Sequence, residues 1–183
     1  HLAKLGCAPL ALLDQFDPGR REVQVDRIFD DLANFLPDFV QQVMEKQSLL
    51  TPPVMPQGPF PVARQIELSH EIMRVFGFPF DRGRLDTAHH PFSGGADGDI
   101  RIATRYDEGD FMKSLMAVIH ETGHALYEDG RPQQWRGQPV GYSRGMTLHE
   151  SQSLLLEMQA ARSEEFIRFL APTMQRILRG AGP

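Results

Sequence analysis

Cysteine is almost missing from this chain of 183 residues. Cys7 stands alone, so no disulfide can form within the chain, and a reducing compartment such as the cytoplasm is the expected setting. Long hydrophobic runs are missing too: nothing approaches the roughly 20 apolar residues of a membrane-spanning helix, and no secretory leader is visible. Charge of one sign does not accumulate. The net charge is -5 with no basic cluster, so neither nucleic acid nor an anionic membrane is an expected partner. What remains, 41% hydrophobic and 23% charged, is the make-up of an ordinary globular protein long enough to bury a core. The chain opens at His1 rather than Met, and the expectation is a piece of something longer.

Against that plain background one pentapeptide stands out, His120-Glu121-Thr122-Gly123-His124. It has the form H-E-x-x-H. Two histidines four residues apart on a helix place their rings on one face, about 5–6 Å apart at Cβ. Both can then reach one zinc at about 2.0–2.1 Å, with Glu121 beside the metal to take a proton from a zinc-bound water. The surroundings read as helix: Phe111, Leu115, Val118, Ile119 and Leu126 recur with helical period, and Asp110 precedes them as an N-cap. The two histidines fall at the border of this stripe, where a cleft would lie.

The rest of the chain reads as mostly helical. Apolar residues recur from Val25 to Val43 in a long amphipathic helix that Pro37 should kink or split. Thr51 to Pro61 holds five prolines and one glycine and reads as a loop. A further helix spans Ile66 to Phe76, ended by Gly77 and Pro79. Ser93-Gly94-Gly95 and Asp97-Gly98 form a flexible turn region, and Ile100–Thr104 alternates as a short strand. That strand has two readings, an exposed edge that pairs with an extended peptide or a structural hairpin arm. A Gly/Pro-rich loop from Gly130 to Gly145 leads into helices from about Thr147 to Leu170 and from Pro172 onward.

A catalytic zinc takes three protein ligands and leaves a fourth position for water. Glu128 lies two turns from His120, about 12 Å along the axis, so it stands behind the ligands or in solvent. The last long helix offers His149, Glu150 and Glu157 as the third ligand. Glu150 has a competing use, because Thr147-Leu148-His149-Glu150 fits the capping box. Arg101 or Arg105 could grip a substrate carboxylate, or form a surface ion pair with Asp99 or Asp107. His90 could line the cleft or be an ordinary loop histidine.

Taken together, His90-Pro91-Phe92, Asp99-Ile100-Arg101, His120-Glu121-Thr122-Gly123-His124 and His149-Glu150-Ser151-Gln152 resemble the carboxypeptidase Taq family of metallocarboxypeptidases. The likeness runs from near the N-terminus to about Gln175 and includes Thr104–Glu108 and Ala125–Glu128. It implies a mainly α, zincin-like fold with a small β-sheet beside the active-site cleft, and often a homodimer. It implies zinc, or another divalent metal such as cobalt, held by His120, His124 and Glu150, with Glu121 as general base. Two departures stand out. The family's D-x-R-x-T would put threonine at position 103, where this chain has Ala103 followed by Thr104. The family's downstream I-R-x-x-A-D and G-Y-x-P-T-Y signatures, which by analogy hold the substrate, are absent, and Gly141-Tyr142 is no substitute.

The expected function is therefore zinc-dependent trimming of C-terminal residues from peptides, by one catalytic-type domain over residues 1–183 of a longer helical peptidase. Two other readings stay open. One is another H-E-x-x-H endopeptidase or dipeptidase. The other is a non-catalytic metal-binding or dimerisation fragment.

Overall fold

A computed structural model describes residues 8–179. Cys7 and His1 lie outside the described residues. The chain divides into two units, His1–Pro56 and Gln57–Pro183. The first carries α1 (Ala8–Phe16) and α2 (Glu22–Ser48). The sequence pattern foretells α2, with one correction. Pro37 lies inside a helix that the backbone carries without a break. Proline removes one amide donor and crowds one carbonyl, and on an exposed helix water can take up the freed carbonyl. None of the 27 residues of α2 is buried.

The second unit holds α3 (Val62–Val75), a sheet of β1 (Gly83–Thr87), β2 (Phe92–Ala96) and β3 (Asp99–Thr104), then α4 (Phe111–Asp129), α5 (Met146–Leu154) and α6 (Glu164–Leu178). Helix α3 starts four residues before Ile66, with Pro61 at its N-cap. Gly77, at a φ of 85°, takes the left-handed turn that follows its end.

Helix α4 is the axis of this unit. On one side Phe111, Leu115 and Ile119 pack with Leu68 and Ile72 of α3 and Leu170 and Ile177 of α6. On the other, Val118 and Ala125 pack with Ile100 and Ile102 of β3, Met73 and Phe78. Leu126, expected in the stripe, is only half-buried, and Ala125 fills the place against the sheet. Asp110 caps the helix as expected, its carboxylate accepting from the amides of Met112 and Lys113. Buried Gln65 ties α3 to the approach of α4. Its amide nitrogen donates to the Phe60 and Asp107 carbonyls at 2.7 and 2.8 Å, and its oxygen accepts from Ser114 Oγ at 2.8 Å.

The sheet corrects two expectations. Strand order is β1-β3-β2, so β3 is central, parallel to β1 and antiparallel to β2, and is not an edge. The stretch Ser93-Gly94-Gly95 is strand β2 itself, and only Asp97-Gly98 is the turn, with Gly98 at a φ of 83°. Glycine content hid a strand whose role is to pair with β3. Near the C-terminus the helical stretch starting at α5 passes into a π-helical turn, Leu155–Ala160, and breaks before Ser163. Ser163 caps α6 by accepting from the Phe166 amide, and Pro172 sits inside α6 rather than at its start. The mainly helical fold with a small sheet is the one the sequence led us to expect.

Candidate active site

The site is built where α5 lies against α4. Gly123 makes that approach close: a Cβ there would meet Ser153 Cα at 2.6 Å and the Gln152 carbonyl oxygen at 2.7 Å, both backbone atoms of α5. With α5 this near, Glu150 reaches across to the histidines of α4. Its Oε2 lies 3.5 Å from His120 Nε2 and 3.4 Å from His124 Nε2. One donor atom from each of the three residues falls within 4.8 Å of the others. The two imidazoles cross at 82° with centroids 4.9 Å apart.

The capping role weighed for Glu150 does not form. Helix α5 begins at Met146 with Gly145 as N-cap, at a φ of 120°, and no side chain caps it. Ser153, wholly buried, sets its hydroxyl 2.9 Å from Glu150 Oε2 and so fixes that carboxylate.

Each histidine is gripped from behind. His120 Nδ1 lies 3.0 Å from Glu157 Oε2, and Arg162 closes on the other oxygen of Glu157 at 2.6 Å. Glu150 lies on α5 and Glu157 in the π-helical turn that continues it, and both carboxylates reach His120. His124 Nδ1 instead meets His149 Nδ1 at 2.6 Å. His149 Nε2 meets Glu128 Oε1 at 2.8 Å. With their far nitrogens engaged in this way, both rings turn Nε2 toward Glu150. Two imidazole nitrogens and one carboxylate oxygen are the His2Glu donor set of a catalytic zinc, so the residues present fit such a metal.

Glu121 is buried, with 9% of its surface exposed. Burial is the main force raising its carboxyl above the ordinary value; nearby Glu150 adds to this, while His120 and His149 oppose it. Burial likewise pushes the His124 imidazole below its ordinary value, which favours the neutral form a metal ligand requires. Glu121 and His120 line an open cleft of about 820 Å³ together with Pro91, Met116 and Arg162.

The other expected contacts fare differently. His90 is exposed in the bend before β2, next to the cleft-lining Pro91. Arg101 is forked onto Asp99, with contacts of 3.0 and 2.7 Å to Oδ2. Arg105 is exposed beyond the end of β3. The sequence reading named neither Ser153 nor Arg162. Ser153 carries no recognisable signal, and Arg162 meets Glu157 five residues away only because the intervening turn is π-helical.

The profile of the carboxypeptidase Taq (M32) metallopeptidase family matches residues 10–182. Carboxypeptidase 1 of Bacillus subtilis is 37% identical over 157 residues, which is 85% of this chain and 31% of that protein. Thermostable carboxypeptidase 1 of Thermus thermophilus is 32% identical over 173 residues, 94% of this chain and 34% of that protein. Among solved structures, metallocarboxypeptidase 1 of Trypanosoma cruzi superposes with a TM-score of 0.90 at 44% identity, covering 94% of this chain and 36% of that one. The chain thus spans about a third of the length of the relatives it matches.

Proposed function

The chain belongs to the carboxypeptidase Taq (M32) family of metallopeptidases, and on that premise we propose that it carries the metal-binding and proton-transferring part of a zinc-dependent carboxypeptidase. Its substrate is a peptide with a free C-terminus. The observation that carries this reading is the convergence of His120, His124 and Glu150 on one point beside the buried carboxyl of Glu121.

In this reading His120 Nε2, His124 Nε2 and Glu150 hold the metal. When bound, zinc or a similar divalent ion acts as a Lewis acid that polarises the scissile carbonyl and acidifies water. Glu121 supplies the base. Its carboxylate accepts a proton from the attacking water and delivers it to the leaving amine nitrogen. A carboxyl raised by burial suits both halves of that task, because it holds the proton more firmly than a solvated glutamate would. Glu157 keeps the His120 ring facing inward. Pro91 brings the segment before β2 to the cleft, and its exposed neighbour His90, with Arg101 and Arg105, supplies the candidate substrate contacts. A reducing setting such as the cytoplasm rests on the single cysteine, and a homodimer rests on the family likeness alone.

The test is a matched pair of peptides, one with a free C-terminus and its amidated twin. Release of the last residue from the first only is expected; equal cleavage of both points to an endopeptidase. Because the chain spans a third of its relatives' length, a metal-binding but non-catalytic role is the second reading. Glu121→Gln separates the two. A drop of about 10²–10⁴-fold in rate at unchanged zinc content is expected for the enzyme. Wild type binding zinc yet matching Glu121→Gln in rate would establish the second.

A further inference from the structure

We propose that His149 is a positioning residue for His124, the middle link of a hydrogen-bonded chain that ties the metal site to the turn between β2 and β3. The proposal rests on the metal-site reading above.

The protonation pattern follows from one requirement. To offer the Nε2 lone pair on the side of Glu150, neutral His124 must carry its proton on Nδ1. His124 Nδ1–H therefore points at His149, whose ring Nδ1 lies 2.6 Å away as an acceptor and whose backbone also hydrogen-bonds the His124 imidazole. His149, having spent Nδ1 as acceptor, carries its own proton on Nε2 and donates to Glu128 Oε1 at 2.8 Å. Glu128 is pinned in turn, its Oε2 lying 2.7 Å from Arg131 Nε. Arg131 extends the chain by donating to Asp97 Oδ1 at 2.9 Å and to the Gly141 carbonyl at 2.7 Å. In this arrangement every link from His124 to Asp97 pairs a donor with an acceptor.

The surroundings hold His149 in place. Its side chain is 16% exposed, and the Tyr127 ring packs edge-on at 5.0 Å between centroids. The Tyr127 hydroxyl accepts from the Arg144 amide at 3.0 Å, so that ring is anchored as well.

The two ligand rings are thus supported unequally, and charge explains why. His120 leans directly on a carboxylate, Glu157. Glu121, Glu150 and Glu157 already crowd the site with negative charge. An imidazole behind His124 gives the same orientation while moving the next carboxylate, Glu128, one ring further away. The turn between β2 and β3 also gains a role beyond ending a hairpin, because Asp97 anchors the far end of the chain.

The experiment measures zinc affinity of the full chain by competition with a chromophoric chelator, and the visible absorption of the Co²⁺-loaded protein. His149→Phe keeps a ring of similar size and removes both hydrogen bonds. It is expected to weaken zinc binding about 10–100-fold and to alter the cobalt spectrum. His149→Gln keeps an amide oxygen to accept from His124 and an amide nitrogen to donate to Glu128, and should recover most of the loss. Thermal melting of the metal-free proteins controls for folding. Unchanged affinity and spectrum in His149→Phe overturn the proposal. So does an equal loss in both variants with lowered metal-free melting temperatures, which would mark His149 as packing only. If wild type binds one zinc and Glu150→Ala does not, but His149→Phe is unaffected, His149 alone is refuted and the site stands. A wild type that takes up no zinc refutes both.

Discussion

Helices α2 and α4 carry the same kind of signal in sequence and end in opposite circumstances. Both repeat apolar residues at helical spacing, and both form as helices. Helix α4 buries ten of its 19 residues, between two other helices on one side and the sheet on the other. Helix α2 buries none, and Phe29, Phe35 and Phe39 stand 63%, 56% and 47% exposed among the described residues. Periodicity therefore says which face of a helix is apolar and nothing about what covers it. The site sits on the helix that is covered. A metal centre needs its ligands held within fractions of an ångström, and that precision comes from neighbours on every side.

The largest effect should come from emptying the core under α4. Ile119 is completely buried, and Ile119→Ala is expected to cost about 2–5 kcal/mol in urea unfolding. A loss under 1 kcal/mol would mean that α4 is no better packed than α2. Gly123→Ala comes next and tests the contact with α5. In an exposed helix interior that change would stabilise by about 1 kcal/mol. Here the new methyl meets α5 backbone at 2.6 and 2.7 Å, and backbone cannot swing aside as a side-chain end can. The sign should reverse, to a loss of about 1–3 kcal/mol, with weaker zinc binding as Glu150 is pushed away. A more stable Gly123→Ala protein with intact zinc affinity would contradict the close approach.

A smaller effect is expected at the C-terminal end of α4, where Arg82 grips both oxygens of Asp129 at 3.0 and 2.7 Å. The hydrogen bond from Arg82 chiefly holds the Asp129 carboxyl below its ordinary value of 3.8, against the opposing pull of burial. A depressed carboxyl contributes its stability fully above the unfolded value and loses it as pH falls through the folded one. The stability gap between wild type and Asp129→Asn should be at most about 1 kcal/mol at pH 6 and close toward zero below pH 3.8. A gap that widens on acidification would contradict the pairing.

How far these features could be read beforehand follows the same division. Helix α4, its Asp110 cap and the metal-ligand candidates were legible because period, cap chemistry and H-E-x-x-H spacing are local properties. Strands β1 and β2 were not. Gly83-Arg84-Leu85-Asp86-Thr87 and Phe92-Ser93-Gly94-Gly95-Ala96 lack clear alternation, and they are strands because both pair with the apolar β3. Pro172 misled in the opposite direction. Ser163 supplies a side-chain cap nine residues earlier, and that local bond sets the start of α6 while Pro172 is absorbed within it. The support behind the ligands was half legible. Glu128, His149 and Glu157 were in view as charged or histidine neighbours, but which ring each would grip depends on how α5 crosses α4. That crossing is set by Gly123, whose significance lies in an absent side chain.

The smallest effect is expected on α2, and it separates the two helices most cleanly. Phe35 and Phe39 stack at 5.0 Å between centroids, one turn apart on the exposed face. A ring pair at that spacing supports an isolated helix by about 0.2–0.5 kcal/mol. Serine has a helix propensity close to that of phenylalanine, so replacing both isolates packing from backbone preference. Phe35→Ser with Phe39→Ser should leave circular-dichroism helicity unchanged and shift stability by no more than about 0.5 kcal/mol. The same chemistry on α4 would empty its core. If the double replacement instead costs more than about 2 kcal/mol, the apolar face of α2 is covered in solution. Concentration dependence of that loss would then identify a second copy of the chain as the cover, since only association makes stability depend on protein concentration.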